Sequence, residues 1–314
     1  MYELFFGLRD NPFSVSPDPQ FLVPTERTDE ALASLIYGIL ERRGFILLTG
    51  EVGTGKTTIL NMFLEWLSKS SVENAFVFNP SLNAVEFLDF VMSDFGIPCN
   101  SNLKSQKLIR LNQWLLERYR ANGTAVLIID EAQNLSAEVL EEVRLLTNLE
   151  TAQEKLLQIV LSGQPELENK LCQTELRQLR QRITLWCRTA ALTKSEVEFY
   201  INERLRCAGR TSGEIFKPAA IDSIYQYSHG IQRVINLICD HALITAYAEG
   251  RQSISSDTIE AVAKEFRLNN GVALSVQAQG NGDLIGAQKK ITLDALMTLI
   301  ENLRRMHPGD EGIR

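Results

Sequence analysis

The stretch Gly50-Glu51-Val52-Gly53-Thr54-Gly55-Lys56-Thr57 constrains this chain more than any other. It fits the pattern Gly, any four residues, Gly-Lys-Thr, and its flanks are the ones that pattern needs. Before it, Phe45-Ile46-Leu47-Leu48-Thr49 is a short apolar run that reads as a strand buried on both faces. After it, Ile59, Leu60, Phe63, Leu64 and Leu67 mark one face of a helix. The glycines let backbone N–H groups turn inward around phosphate oxygens, and the helix start adds a positive dipole end. The expected nucleotide-binding residues are Gly50, Glu51, Val52, Gly53, Thr54, Gly55, Lys56, Thr57 and Thr58. Within this set Lys56 reaches the β- and γ-phosphates of ATP, and the Thr57 hydroxyl holds Mg²⁺.

A second element matches the first. Thr124-Ala125-Val126-Leu127-Ile128-Ile129 is an apolar run that ends in Asp130-Glu131. A carboxylate at the edge of a core must be solvated or meet a cation. Here Asp130 is expected to hold Mg²⁺, directly or through water, and Glu131 to orient and polarise an attacking water. The run 156–161 gives a further strand ending in Ser162-Gly163-Gln164. A polar side chain there, wedged between the two motif strands, touches the γ-phosphate or the water; Gln164 is the first choice and Ser162 the second. Strands at 75–78 and 183–187 complete a set of five, alternating with helices at 25–43, from Ser81 to Phe95, 104–120 and 136–150. Such alternation predicts an α/β fold: a parallel sheet, helices on both faces, and ligand at the strands' carboxyl ends.

Around this unit the chain changes character twice. Residues 1–24 carry Phe5, Phe6, Leu8, Phe13, Phe21 and Leu22 among prolines, which predicts an extended arm laid over a sheet edge or apolar patch, or walling an adenine pocket. After about Leu192 the pattern is helical only, with helices expected at 194–208, 218–228, 231–248 and 256–267. The divisions expected are 1–191 for the nucleotide-binding domain with its arm, 192–268 for an all-helical lid, 269–290 for a flexible linker and 291–314 for an amphipathic helix and tail. Gly230-Ile231-Gln232-Arg233 stands at a helix start in the helical part, a placement that aims the Arg233 guanidinium at a phosphate. The net charge of −7 argues against wrapping nucleic acid over a broad surface. Cys99, Cys172, Cys187, Cys207 and Cys239 form no Cys-x-x-Cys pair and read as reduced thiols, and the histidines lack metal-ligand spacing. No apolar run is long enough for a membrane span, so the chain reads as cytoplasmic.

These runs, in this order, resemble the AAA+ ATPases, and closely the general secretion pathway protein A (ExeA-like) group. The resemblance is carried by Phe6-Gly7-Leu8, Asn11-Pro12-Phe13 and Pro17-Asp18-Pro19, by 50–58, and by Leu127 to Gln133. It continues through Glu142 to Thr151, Gly163 to Leu167, Leu179 to Ile183 and Gly230 to Asn236, spanning about residues 1–268. It implies an ATP-hydrolysing enzyme with Gln164 as sensor 1, Arg233 as the sensor-2 arginine, and a trans-acting arginine reaching a neighbour's ATP. For that last role Arg182 comes first, Arg180 second, and Arg177 also competes. It further implies an ATP-dependent homo-oligomer.

Secretion members of the group continue into a membrane span and a periplasmic region, whereas here residues 269–288 read as linker. The helix expected at 292–306 places Leu293, Leu296, Leu299, Ile300 and Leu303 on one face, for docking on its own lid or on a partner. The functions implied are a motor or switch for a protein client in secretion, envelope or surface-polysaccharide export, held peripherally at the inner membrane through a partner. The alternatives are a regulator working with a DNA-bound partner, or a nucleotide-dependent scaffold with little turnover.

Overall fold

The computed structural model describes residues 2–14, 21, 23–70, 72–78, 82–98, 101, 103–152, 154–210 and 213–268. In chain order the elements are α1 (Glu3–Phe6), α2 (Glu26–Leu40), β1 (Phe45–Thr49), α3 (Lys56–Lys69), β2 (Val72–Val77), α4 (Ala84–Asp94), α5 (Lys104–Arg120) and β3 (Thr124–Ile129). They continue with α6 (Ala137–Leu146), β4 (Leu157–Gly163), α7 (Pro165–Leu171), α8 (Arg177–Arg180), β5 (Leu185–Arg188), α9 (Lys194–Cys207), α10 (Pro218–Ser228), α11 (Gln232–Ala248) and α12 (Ser256–Glu265). The expected linker and C-terminal helix, together with Pro17-Asp18-Pro19, Leu22, Ser81 and Cys99, lie outside the described residues.

Two compact units form. One gathers the described parts of Arg27–Val52 and Ile59–Thr189 around a five-stranded sheet of order β2-β3-β4-β1-β5. Every strand pair in it is parallel. The three central strands owe their near-continuous apolar sequence to burial on both faces. Successive side chains alternate between two cores. Leu47, Leu127, Ile129, Ile159 and Leu161 pack with α4, α5 and α6, while Ile46, Leu48, Val126, Ile128 and Val160 pack with α2 and α3. Helix α4 starts at Asn83, whose side chain accepts from Val85 and Glu86 N–H groups while Glu86 reaches back to the Asn83 N–H. Helix α6 ends at Leu146, short of the expected 150, because Thr147 turns the chain and Glu150 forms an antiparallel bridge with Lys155.

The other unit joins the described parts of Met1–Glu26, Gly53–Thr58 and Ala190–Thr292. Here the structure departs from the expected division at 191. Tyr2, Phe6, Leu8, Phe13, Phe21 and Val23 share one core with Val197, Ile201, Ile235, Ile238 and Ile259, so the opening segment belongs with the helices. Nor is it extended throughout. Residues 3–6 make one helical turn, closed by Gly7 at φ 68°. The segment is anchored through polar groups as well. The Tyr2 hydroxyl donates to Asp240, and Asn11 Nδ2 donates to the same carboxylate at 3.3 Å. Buried Arg204 donates from Nε to the Pro12 carbonyl at 2.6 Å and lies over the Phe21 ring at 5.3 Å. These partners come from opposite ends of the described chain, which is why no local periodicity announces them.

At the junction of α10 and α11, Gly230 sits at φ 79°, and a Cβ there would lie 2.0 Å from the Leu192 carbonyl oxygen and 2.8 Å from its nitrogen. The Leu192 N–H donates to the Gly230 carbonyl at 2.8 Å, so the contact is backbone against backbone and cannot relax by a rotamer change. Gly230→Ala is therefore expected to destabilise the helical unit by at least about 3 kcal/mol, from left-handed strain plus the clash. A denaturant midpoint equal to wild type would refute this close approach.

Candidate active site

In the sheet unit the carboxyl ends of β3, β4 and β1 lie side by side, because β4 sits between the other two. Thr49 is in register with Gly163, and Ile129 with Leu161. Gly50, Asp130 and Gln164 therefore leave the sheet at one edge. The Gly50 N–H donates to the Gly163 carbonyl at 3.3 Å, carrying the ladder into the glycine loop. Just before the loop, the Thr49 hydroxyl donates to Glu168, and Arg188 forks onto the same carboxylate with its Nε at 3.0 Å.

Asp130 is buried, and its Oδ1 accepts from the Ser162 hydroxyl at 2.7 Å and from the Glu131 N–H at 2.9 Å. Both bonds fix the carboxylate's orientation. Oδ2 takes no hydrogen bond among the described residues, which suits a cation ligand. Ser162, the second choice for contacting phosphate or water, thus serves Asp130. Gln164, the first choice, donates from Nε2 to Glu131 Oε2 at 3.3 Å. Gln133 donates to that same oxygen through Nε2, and its own Oε1 accepts from the Gln164 N–H at 3.1 Å. Glu131 is thereby held between two amides, with its backbone at φ 52°, ψ 35°, a region few non-glycine residues occupy. Gln133 was given no role by sequence. Its signal was the spacing Glu-x-Gln just after a buried strand, which becomes meaningful only once a tight turn brings the two side chains together.

The other half of the loop lies in the helical unit. Gly53 and Gly55 take φ 81° and 87°, and both are closely faced. A Cβ on Gly53 would lie 2.7 Å from Arg233 Cβ, and one on Gly55 2.9 Å from Gln232 Oε1. The Arg233 N–H donates to the Gly53 carbonyl at 3.1 Å. The Gly-x-x-Arg stretch is therefore brought to the glycine loop, with the Arg233 side chain exposed. Lys56 opens α3 and is only 7% exposed, whereas Thr57 is exposed and Thr58 half-buried. A glycine cradle, an enclosed ammonium and an exposed hydroxyl fit a triphosphate with its metal. Thr57 and Asp130 are hard oxygen donors of the kind Mg²⁺ accepts alongside waters and phosphate. No cluster of three or more His, Cys, Asp or Glu able to hold a metal occurs among the described residues.

The three candidate trans-acting arginines differ. Arg182 is half-buried and donates to the Thr147 hydroxyl at 2.7 Å. Its charge also reaches two carboxyls held below the usual range: Glu141, mainly by hydrogen bonds from Arg144, and Glu150, mainly by its hydrogen bond from Lys155. Arg177 and Arg180 are exposed, and neither side chain makes a hydrogen bond or ion pair among the described residues.

The chain is 46% identical over 266 residues to General secretion pathway protein A of Aeromonas hydrophila, and an AAA domain model matches residues 39–171. It carries an AAA domain. The similarity to General secretion pathway protein A covers 84% of this chain but 48% of that protein, so the chain spans about half the length of this curated relative. Among solved structures, the AAA+ fold is shared with Cdc6p of Pyrobaculum aerophilum at TM-score 0.61 and 19% identity, covering 82% of this chain and 71% of that one. The ADP form of ORC2 from Aeropyrum pernix gives TM-score 0.60 and 20% identity, covering 82% and 73%. Among the described residues of this AAA+ chain, no helix is long and apolar enough to cross a membrane.

Proposed function

We propose that this AAA+ protein binds ATP with Mg²⁺ and hydrolyses it to drive or switch a protein partner. The observation that carries the reading is Glu131, fixed between the Gln133 and Gln164 amides one residue after a buried, oriented Asp130. The residues from Gly50 to Thr58 bind the triphosphate, with Lys56 on its phosphates. Thr57 and Asp130 hold the metal, which supplies charge neutralisation when bound. Glu131 orients and polarises water, Gln164 keeps it aligned, and Arg233 adds positive charge at the loop. This machinery fits a motor or switch better than a passive scaffold, since two amides hold the Glu131 carboxylate in place at a strained backbone position.

For the client we favour a component of secretion or envelope export. The support is the 46% identity to a protein named for general secretion, over the half of that relative that this chain spans. On this reading the protein works in the cytoplasm, held at the inner membrane through its partner. A role beside a DNA-bound partner gains no support from the net charge of −7.

Assembly is part of the proposal. An arginine donated to a neighbour's ATP makes a head-to-tail contact, which closes into a ring or winds into a filament. Arg182 remains our first candidate, with Arg180 and Arg177 competing by their exposure. Phosphate release from Mg·ATP by the full chain is the direct test. Turnover per subunit is expected to rise with protein concentration. Arg182→Ala should lower it, and mixing that variant with Lys56→Ala should restore part of it. Full turnover by a protein that light scattering shows to be monomeric in Mg·ATP would overturn the assembly; absence of any turnover would overturn the ATPase.

A further inference from the structure

After β3 the chain makes a single 3₁₀ turn, Ala132–Asn134, with Glu131 at its head. Inside it the Asn134 N–H donates to the Glu131 carbonyl at 3.0 Å, and the Leu135 N–H to the Ala132 carbonyl at 3.2 Å. These bonds leave the Gln133 and Leu135 carbonyls to donors from elsewhere. Both accept from the Lys170 ammonium, that of Gln133 at 3.1 Å. Bonds to an ionised donor are roughly twice as strong as neutral ones. The turn needs them, because a left-handed backbone such as that of Glu131 persists only where its surroundings over-determine it.

Lys170 is well placed to hold it. It stands on α7, whose Leu167 and Leu171 are fully buried in the core of the sheet. That helix follows β4 and starts at Gln164, which meets Gln133 through its N–H and Glu131 through its side chain. Farther along, Glu168 accepts from the Thr49 hydroxyl at the end of β1 and from Arg188 at the end of β5. So α7 is fastened to the ends of three strands, and Lys170 is the arm with which it grips the turn after the fourth. We infer that Lys170 is a positioning residue for ATP hydrolysis: by holding the Gln133 and Leu135 carbonyls it fixes the turn that aims the Glu131 carboxylate. Its action runs through the backbone, so it governs the rate at which bound ATP is hydrolysed and not the affinity for ATP. The inference rests on reading Glu131 as the group that polarises water.

The test is turnover by the full chain in Mg·ATP, with ATP affinity measured by calorimetry. Lys170→Met keeps the aliphatic stem and removes the ammonium. Its kcat is expected to fall about ten- to a hundredfold, since a displacement of about 1 Å can cost a hundredfold, while ATP affinity stays within about twofold of wild type. Unchanged affinity also shows that the site is folded. Lys170→Arg, which keeps a cationic donor of similar reach, should retain most of the rate. In a Glu131→Gln background, Lys170→Met should slow single-turnover hydrolysis less than about twofold further, because the carboxylate it aims is gone. Wild-type kcat in Lys170→Met, a loss of ATP affinity as large as the loss of rate, an arginine variant as slow as the methionine one, or losses that multiply in the double variant would each overturn the inference alone. Full turnover by Glu131→Gln by itself would overturn the reading beneath it as well.

Discussion

Glu131→Gln is expected to bind ATP and release phosphate at least roughly a hundredfold more slowly than wild type, the usual worth of a positioned acid–base group. That factor corresponds to about 2.7 kcal/mol of barrier. The substitution preserves size and still offers an oxygen to the Gln133 and Gln164 amides that hold Glu131. What it removes is the charge that polarises water. Lys56→Ala is expected to differ in kind: it deletes a cation only 7% exposed, so binding itself should be lost. Calorimetry with Mg·ATP separates the two, and single-turnover phosphate release measures the slow variant. Wild-type turnover by Glu131→Gln would remove Glu131 from the mechanism and leave Asp130 and the loop in place.

The second large effect lies in the opening segment. Removing residues 1–14 is expected to abolish cooperative folding of the helical unit. Phe6 and Phe13 are fully buried, and each Phe→Ala change in such a site costs about 3–5 kcal/mol. The deletion takes both, together with Tyr2 and Leu8, which is comparable to the whole stability of a typical domain. It also strips the Pro12 carbonyl from buried Arg204, leaving that guanidinium short of a partner at its Nε. The phenol and amide bonds to Asp240 disappear as well. Limited proteolysis should then open sites between 190 and 268, and the Phe6→Ala and Phe13→Ala single variants should fall between wild type and the deletion. A deletion variant melting at the wild-type temperature, with those sites still protected, would mean the segment is dispensable decoration.

The sheet and its motif edge were legible because their signals are local. A strand buried on both faces writes itself as a run of apolar residues, and a loop needing left-handed backbone writes itself as glycines. The sheet order does place β4 between the motif strands, as expected, and the Gln164 side chain at its end meets Glu131. What stayed hidden depends on partners far away in sequence. Phe6 and Phe13 have no period, so their residence in the helical core is visible only in three dimensions. Gln133 and Lys170 are ordinary polar residues until a turn fixes what they face. Helix α6 keeps its apolar spacing beyond Leu146, and only the Glu150–Lys155 bridge explains its early end.

The bond between Tyr2 and Asp240 joins residues 238 positions apart. That distance has a temporal meaning. At about 5–20 residues per second, roughly 12–48 seconds separate synthesis of the two partners on a ribosome. Throughout that interval the aromatics of residues 2–13 lack the α11 and α12 residues that complete their core. The intervening sheet, whose strands all come from residues 45–188, can meanwhile complete itself. A newborn chain thus carries exposed aromatics past a finished neighbour until α11 and α12 emerge. Its susceptibility to aggregation, and its dependence on chaperones that shield exposed apolar segments, should be concentrated in that window and should fall once α12, whose Ile259 and Val262 share this core, has left the ribosome.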